Sequence, residues 1–279
     1  MGETFAPAKI NLTLHVTGQR EDGYHLLDSL VMFADVGDRI SASVSEELDL
    51  VIEGPMAAGV PTGADNIITH AANLMGATAQ IRLEKNLPLA AGIGGGSADA
   101  AATLKALSQL TGTPLPSYGQ SVSLGADVPV CLSGARAARM RGIGDVVEPV
   151  AGLPTLHAVL VNPKIPVLTV EVFKRMKDKN NTPMPEQLPV AASAGEFIEW
   201  LSEMRNDLEQ AAIEAEPVIA QVFNTLEVTP GCLLARMSGS GGTCFGLYGD
   251  AETAASAAGR LQESFPSWWV TATQLNAPA

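Results

Sequence analysis

Residues 87–104 read LPLAAGIGGGSADAAATL, with four glycines between 92 and 96 followed at once by an alanine-rich run. Glycine weakens the interior of a helix or strand, so a cluster this dense has a backbone cause, and close approach to a ligand is one. From Ser97 onward SADAAATLKALSQLTG predicts a helix, with Leu104, Leu107 and Leu110 aligned and Gly112 beyond its end. The glycines therefore sit where a loop feeds a helix N-terminus, which gathers backbone N–H groups and partial positive charge at one point. Phosphate suits such a place. The stretch 92–99, GIGGGSAD, is neither a P-loop, which needs Gly-Lys-Ser/Thr, nor a dinucleotide fingerprint, because Ser97 stands where the last small residue belongs. Taken alone, it fits an anion site and an ordinary flexible turn equally well.

With 279 residues, 46% of them hydrophobic, the chain can build one large domain or two of ordinary size around a substantial core. Its formal net charge is −13 and Lys plus Arg number 17, which leaves no basic footprint for nucleic acid. Cys131, Cys232 and Cys244 are odd in number and far apart, without CxxC or zinc-ligand spacing, and read as reduced thiols of a cytoplasmic protein. No apolar run approaches the length of a membrane span, and MGETFAPAKINLTL lacks the basic start and long apolar stretch of a signal peptide. Ala6 stands where a myristoylation signal wants Ser or Thr. The expected partners are small molecules, not nucleic acid or membrane, and the oligomeric state is left open.

The first third is β-rich. AKINLTLHVTG alternates Ile10, Leu12, Leu14 and Val16 against polar residues, and LLDSLVMFADV, DRISASV and LDLVIEG read as three further strands. A helix follows, with Asp65 as its expected N-cap and its end near Gly76, then a strand at AQIRLEK. After the glycine loop and its helix come short segments around SYGQSVSLGADVPVCLSG and a strand and loop in ARAARMRGIGDVVEPV. PTLHAVLVNPKIPVLTVEVFKRMKD reads as a strand, a proline-bounded turn and a helix capped by Thr169, and residues 178–194 as a long loop. Two helical stretches, the second interrupted near Pro217, precede a strand, the loop GSGG, a strand, a helix and a final strand. Pro149, Gly152 and Pro154 punctuate a boundary near residue 150, giving domains 1–150 and 151–279.

Several residues each admit a bland reading. Asp127 in GADVP could cap a turn, Lys9 could be a solvated edge lysine, and Tyr24 and His25 beside Gly23 could form a turn with a satisfied histidine. Phe173 fits a core position, and Ser238–Gly242 a hairpin with a bulge. As an ordered set they say more. PAKINLTLHVTGQREDGYHLL, LPLAAGIGGGSADAAATL, SLGADVPVCL, NDLE and MSGSGGTCF together resemble the GHMP kinase superfamily end to end, and within it the branch whose acceptor is a cytidine diphosphate sugar alcohol.

That resemblance implies a two-domain α+β GHMP kinase fold, with a ribosomal-protein-like N-terminal domain, a ferredoxin-like C-terminal domain and the active site in a cleft. It implies ATP as phosphoryl donor, with Leu89, Ala90, Ala91, Gly92, Ile93, Gly94, Gly95, Gly96, Ser97 and Ala98 around its phosphates. Asn66, Ile67 and Lys85 would line the adenine pocket. Asp127 would take the acceptor hydroxyl's proton, while Lys9 would pair with Asp127 and offset charge on the transferring group. Asn11, Tyr24, His25, Phe173, Gly239 and Gly241 would hold the substrate, His25 at the polar edge of cytosine. Mg²⁺ is expected with the triphosphate, although no carboxylate pair is an obvious dedicated ligand. The rivals are another kinase of the superfamily, a non-catalytic binding module of the same fold and an RNA-binding domain, the last opposed by the acidic balance.

Overall fold

In the computed structural model, which describes residues 2–190 and 193–277, the chain divides into two compact units. One holds the residues up to Lys9, 36–89 and 94–135, and the other holds 10–35, 90–93 and 136 onward. In both, strands and helices mix, the α+β class the sequence suggests, and in the second unit the pairing is antiparallel.

The first unit contains most of β1 (Gly2–Asn11), the second half of β3 (His25–Val44), β4 (Asp49–Glu53) and β5 (Ala79–Glu84). β5 runs antiparallel to β3 from Arg39↔Glu84 to Val44↔Ala79, and parallel to β4 from Asp49↔Gln80 to Glu53↔Glu84. Parallel neighbours need a crossover, and α1 (Ile67–Met75) supplies it. Ala79, Ile81 and Leu83 of β5 are buried while their neighbours face solvent, the period of a half-buried strand. α1 packs on α2 (Gly95–Thr111), and α3 (Tyr118–Val122) and α4 (Val128–Leu132) complete the unit. α2 is long enough to bury Ala98, Ala101, Ala102, Leu104 and Leu107, and small side chains let it lie close to its neighbours.

The second unit contains β2 (His15–Gln19), the first half of β3, β6 (Ala137–Gly142), β7 (Val146–Pro149), β8 (Leu156–Asn162), β9 (Cys232–Met237), β10 (Cys244–Tyr248) and β11 (Trp269–Leu275). β3 meets β11 at Ala34↔Leu275, and the order continues through β8, β10 and β9, all antiparallel. Its helices are α5 (Thr169–Arg175), α6 (Ala194–Ser202), α7 (Glu209–Ala215), α8 (Val218–Glu227) and α9 (Ala251–Ser264). Val159, Val161, Ile219, Val222, Leu226, Met237, Cys244 and Leu261 belong to one buried cluster. β8 reads as an almost continuous apolar run because it lies between β10 and β11 and is buried along its length.

Several boundaries differ from expectation. The alternation of AKINLTLHVTG is split between β1 and β2, since Leu12 and Thr13 turn to donate their N–H groups to Leu30 O. LLDSLVMFADV and DRISASV are one strand, β3: Gly37 mimics a turn in sequence but lies where the Ala6 carbonyl crosses too closely for a side chain. α1 is capped by Asn66, whose side chain accepts from Ile68 N, and not by Asp65. Thr169 is the first residue of α5 with Leu168 before it, and its hydroxyl instead pairs with Ser240. α2 begins at Gly95, two residues ahead of Ser97.

A Cβ at Gly37 would lie 2.3 Å from Ala6 O, so Gly37→Ala has to push β1 off β3 and should destabilise the protein by roughly 1–3 kcal/mol. Thermal unfolding should register this as a midpoint several degrees lower, and an unchanged midpoint would show that β1 tolerates displacement there.

Candidate active site

In the first unit the glycine loop ends on Gly94, whose φ of 64° is left-handed, and α2 starts at the next residue. Gly94 has no side chain with which to cap the helix, so the N–H groups of the first turn are left for another acceptor. Lys9 near the end of β1 and Asp127 at the start of α4 meet against this turn. Lys9 Nζ lies 2.9 Å from Asp127 Oδ2, with the Lys9 side chain almost enclosed and Asp127 about a third exposed (32%). A Cβ on Gly94 would come within 3.2 Å of Lys9 Cε and 3.7 Å of Asp127 Oδ2, so the ion pair rests on the loop itself. Ser97 faces the Gly125 turn, since a Cβ on Gly125 would be 3.5 Å from Ser97 Oγ. An exposed carboxylate oxygen, a fixed ammonium and unsatisfied helix N–H groups can together accept a proton and steady an oxyanion or phosphate.

Asn66 and Lys85 are buried with their polar groups engaged inside the unit. Asn66 donates to Pro61 O and caps α1, and Lys85 donates to Asp38 and Asp99. Ile67 lies beside the helix start, with its Cγ2 3.9 Å from where a Gly96 Cβ would be. Ala98 N donates to Gly94 O and closes the first helical turn. Leu89 comes near Gly59 and ends this unit's share of the chain before the loop.

In the second unit Ala90, Ala91, Gly92 and Ile93 lie against Ser238–Gly242, which is the connection of the β9–β10 hairpin. Ala91 O accepts Thr243 N at 3.0 Å, and Gly92 O accepts Ser238 Oγ at 3.0 Å. A Cβ on Gly92 would sit 2.5 Å from Ser238 O, and one on Gly239 2.6 Å from Gly92 O. The two glycine stretches thus touch backbone to backbone, which explains glycine on both sides. Ser238 Oγ also accepts Asn11 N at 3.0 Å, while Asn11 Nδ2 donates to Ser29 Oγ. Gly241 packs under Met237 and Ile219 with a φ of 101°.

The same unit brings His25 and Phe173 together. Their rings stack with centroids 4.6 Å apart and planes inclined by 20°. His25 Nε2 is buried and has no hydrogen-bond partner among the described residues, whereas Tyr24 is largely exposed. Burial, with a smaller push from Lys179, lowers the His25 pKa below its ordinary value, so the ring is neutral at pH 7. A neutral imidazole with an orphaned nitrogen is suited to a ligand edge that offers one complementary polar atom.

Asn206 was not visible from sequence as a site residue. Its amide donates to Met237 O at 2.9 Å and Gly239 O at 2.8 Å, which fixes the hairpin loop, and its Oδ1 accepts Leu208 N. In sequence an Asn ahead of a helical run signals only a cap. Asp99 likewise looks in sequence like any other residue of the alanine-rich helix. Among the described residues no group of three or more His, Cys, Asp or Glu side chains could hold a metal ion, and no helix is long and apolar enough to cross a membrane.

Comparison with known proteins shows the family. Residues 63–147 match the GHMP kinases N terminal domain and residues 190–267 the GHMP kinases C terminal domain. The chain is 56% identical over 272 residues to the 4-diphosphocytidyl-2-C-methyl-D-erythritol kinase of Cereibacter sphaeroides, covering 97% of this chain and 98% of that one. It is also 56% identical to the protein of the same name in Dinoroseobacter shibae, covering 97% and 94%. A crystal structure of 4-(cytidine 5'-diphospho)-2C-methyl-D-erythritol kinase superimposes with a TM-score of 0.81 at 34% identity, over 99% of this chain and 100% of that one. The L. major mevalonate kinase shares the fold at 15% identity, with a TM-score of 0.70 over 100% and 97% of the two chains.

The stacked pair gives a titration test. The His25 ring should titrate below 6.5 by NMR, and Phe173→Ala, by admitting water, should move the midpoint back upward. A midpoint that ignores the loss of Phe173 would show that the stack does not desolvate His25.

Proposed function

The chain belongs to the 4-diphosphocytidyl-2-C-methyl-D-erythritol kinases of the GHMP superfamily, and from that membership we propose how its residues carry the reaction. The enzyme transfers the γ-phosphoryl group of ATP to the 2-hydroxyl of 4-diphosphocytidyl-2-C-methyl-D-erythritol, giving the 2-phosphate and ADP, a step of the non-mevalonate route to isoprenoid precursors. The observation that carries the assignment of roles is the Lys9–Asp127 pair seated on Gly94 at the start of α2.

Phosphoryl transfer asks the protein mainly for positioning and charge stabilisation. The first-turn N–H groups of α2 hold the ATP phosphates, and Ser97 adds a hydroxyl that can reach phosphate or the Mg²⁺ that enters with ATP. Asp127 accepts the proton of the acceptor hydroxyl. That oxygen then bonds to the γ-phosphorus as the bond to the β,γ-bridging oxygen breaks, and ADP leaves with the electron pair. Lys9 orients Asp127 through their ion pair and balances negative charge on the transferring oxygens. His25 Nε2 meets the polar edge of cytosine, with Phe173 and Tyr24 supplying ring surface. Asn11 serves the substrate near Lys9. Ile67, and the backbone rather than the side-chain polar groups of Asn66 and Lys85, would line the adenine side.

Asp127→Asn removes the base and leaves the loop, so kcat should fall by roughly 10²–10⁴-fold with ATP affinity within a few-fold of wild type. An equal loss of ATP affinity would contradict the role given to Asp127. His25→Ala should chiefly raise KM for the cytidine substrate, on the order of tenfold for one lost hydrogen bond. A fall in kcat at unchanged KM would contradict base recognition by His25.

A further inference from the structure

Asp38, Lys85 and Asp99 form an enclosed cluster of ionisable side chains, none more than 3% exposed. Lys85 Nζ donates to Asp38 Oδ2 and, at 2.9 Å, to Asp99 Oδ2. Asp38 Oδ1 accepts the backbone N–H groups of Asn86 and Leu87 at 2.5 and 2.8 Å. Asp99 stands in α2 two residues past Ser97. The cluster therefore grips the chain on both sides of the glycine loop, at 85–87 as it enters and at Asp99 as it leaves. A Cβ on Gly95 would lie 3.4 Å from Lys85 Nζ, so the ammonium sits against the first residue of α2.

We infer that Asp38, Lys85 and Asp99 act as a buried strut that sets the phosphate loop, Asp99 being a positioning residue and not one that touches ATP. Two carboxylates and one ammonium would leave an uncompensated negative charge in an enclosed site, which is strongly unfavourable. Burial, partly opposed by Lys85 and reinforced by Asp38, pushes the Asp99 carboxyl up to about 8. Asp99 Oδ1 makes no hydrogen bond among the described residues, a loss less severe for a neutral acid than for a carboxylate. Lys85 stays charged, because Asp99 and Asp38 outweigh the burial that acts to lower its pKa.

The grip at 85–87 and at Asp99 holds the chain on either side of the stretch read as cradling the ATP phosphates, which connects the cluster to ATP. This connection rests on reading 92–98 as the ATP site.

Asp99→Ala removes the α2 end of the strut and should raise the KM for ATP roughly three- to tenfold, the effect of about one lost polar contact, with the KM for the alcohol little changed. Asp99→Asn keeps the side chain's shape and an oxygen for Lys85 Nζ, and should restore most of that affinity. Lys85→Met, which cuts the strut from its other side, should show the same split between the two substrates. A KM for ATP in the folded variants equal to that of wild type, or a rise shared equally by the alcohol, would overturn the inference, while failure of ATP to bind in any variant, wild type included, would overturn the ATP reading itself.

Discussion

The left-handed turn at Gly94 is the constraint on which the first unit's chemistry depends. It starts α2 without a capping side chain, leaving first-turn N–H groups for an anion, and it offers a flat backbone against which Lys9 and Asp127 close to 2.9 Å. A residue with a Cβ would meet both problems at once, strain at positive φ and contact with Lys9 Cε at 3.2 Å. β1 delivers Lys9 and the turn before α4 delivers Asp127, two elements that 118 positions of sequence separate and this turn reunites.

The second unit shows the same economy of backbone contact. Gly92 lies against the Ser238–Gly242 connection, Ser238 Oγ is shared between Gly92 O and Asn11 N, and Asn206 fixes the carbonyls of Met237 and Gly239. Donors already held in place need no reorganisation when charge develops, and this is where preorganised sites gain most over water. His25 and Phe173 are similarly set beforehand, a stacked pair whose one unsatisfied nitrogen awaits a partner.

What sequence reveals and conceals divides along physical lines. Elements such as α9 and β5 are legible because burial repeats with their own period. The break at Pro217 between α7 and α8 is legible because proline cannot continue a helix. Gly37 misleads because its cause is not a turn but the crossing of Ala6, a contact between residues 31 positions apart. The meeting of Lys9 with Asp127 has no local signal and was reachable only through the ordered motifs shared with a family. Asn206 and the Asp38–Lys85–Asp99 cluster escaped because a polar residue in a motif looks alike whether it faces solvent, a ligand or another backbone.

The charge of −13 sets a last condition, since both substrates are polyanions. Distant acidic groups are screened beyond about 8 Å at physiological salt, so Lys9 and the helix N–H groups must govern binding at short range. Whether the residues gathered around Gly94 and His25 select one acceptor is tested most directly by ADP release from the purified protein. It would be measured with Mg²⁺ and ATP and, separately, 4-diphosphocytidyl-2-C-methyl-D-erythritol, mevalonate, homoserine and galactose. Turnover with the cytidine compound alone is the predicted result; turnover with one of the other alcohols and not with it would contradict the account.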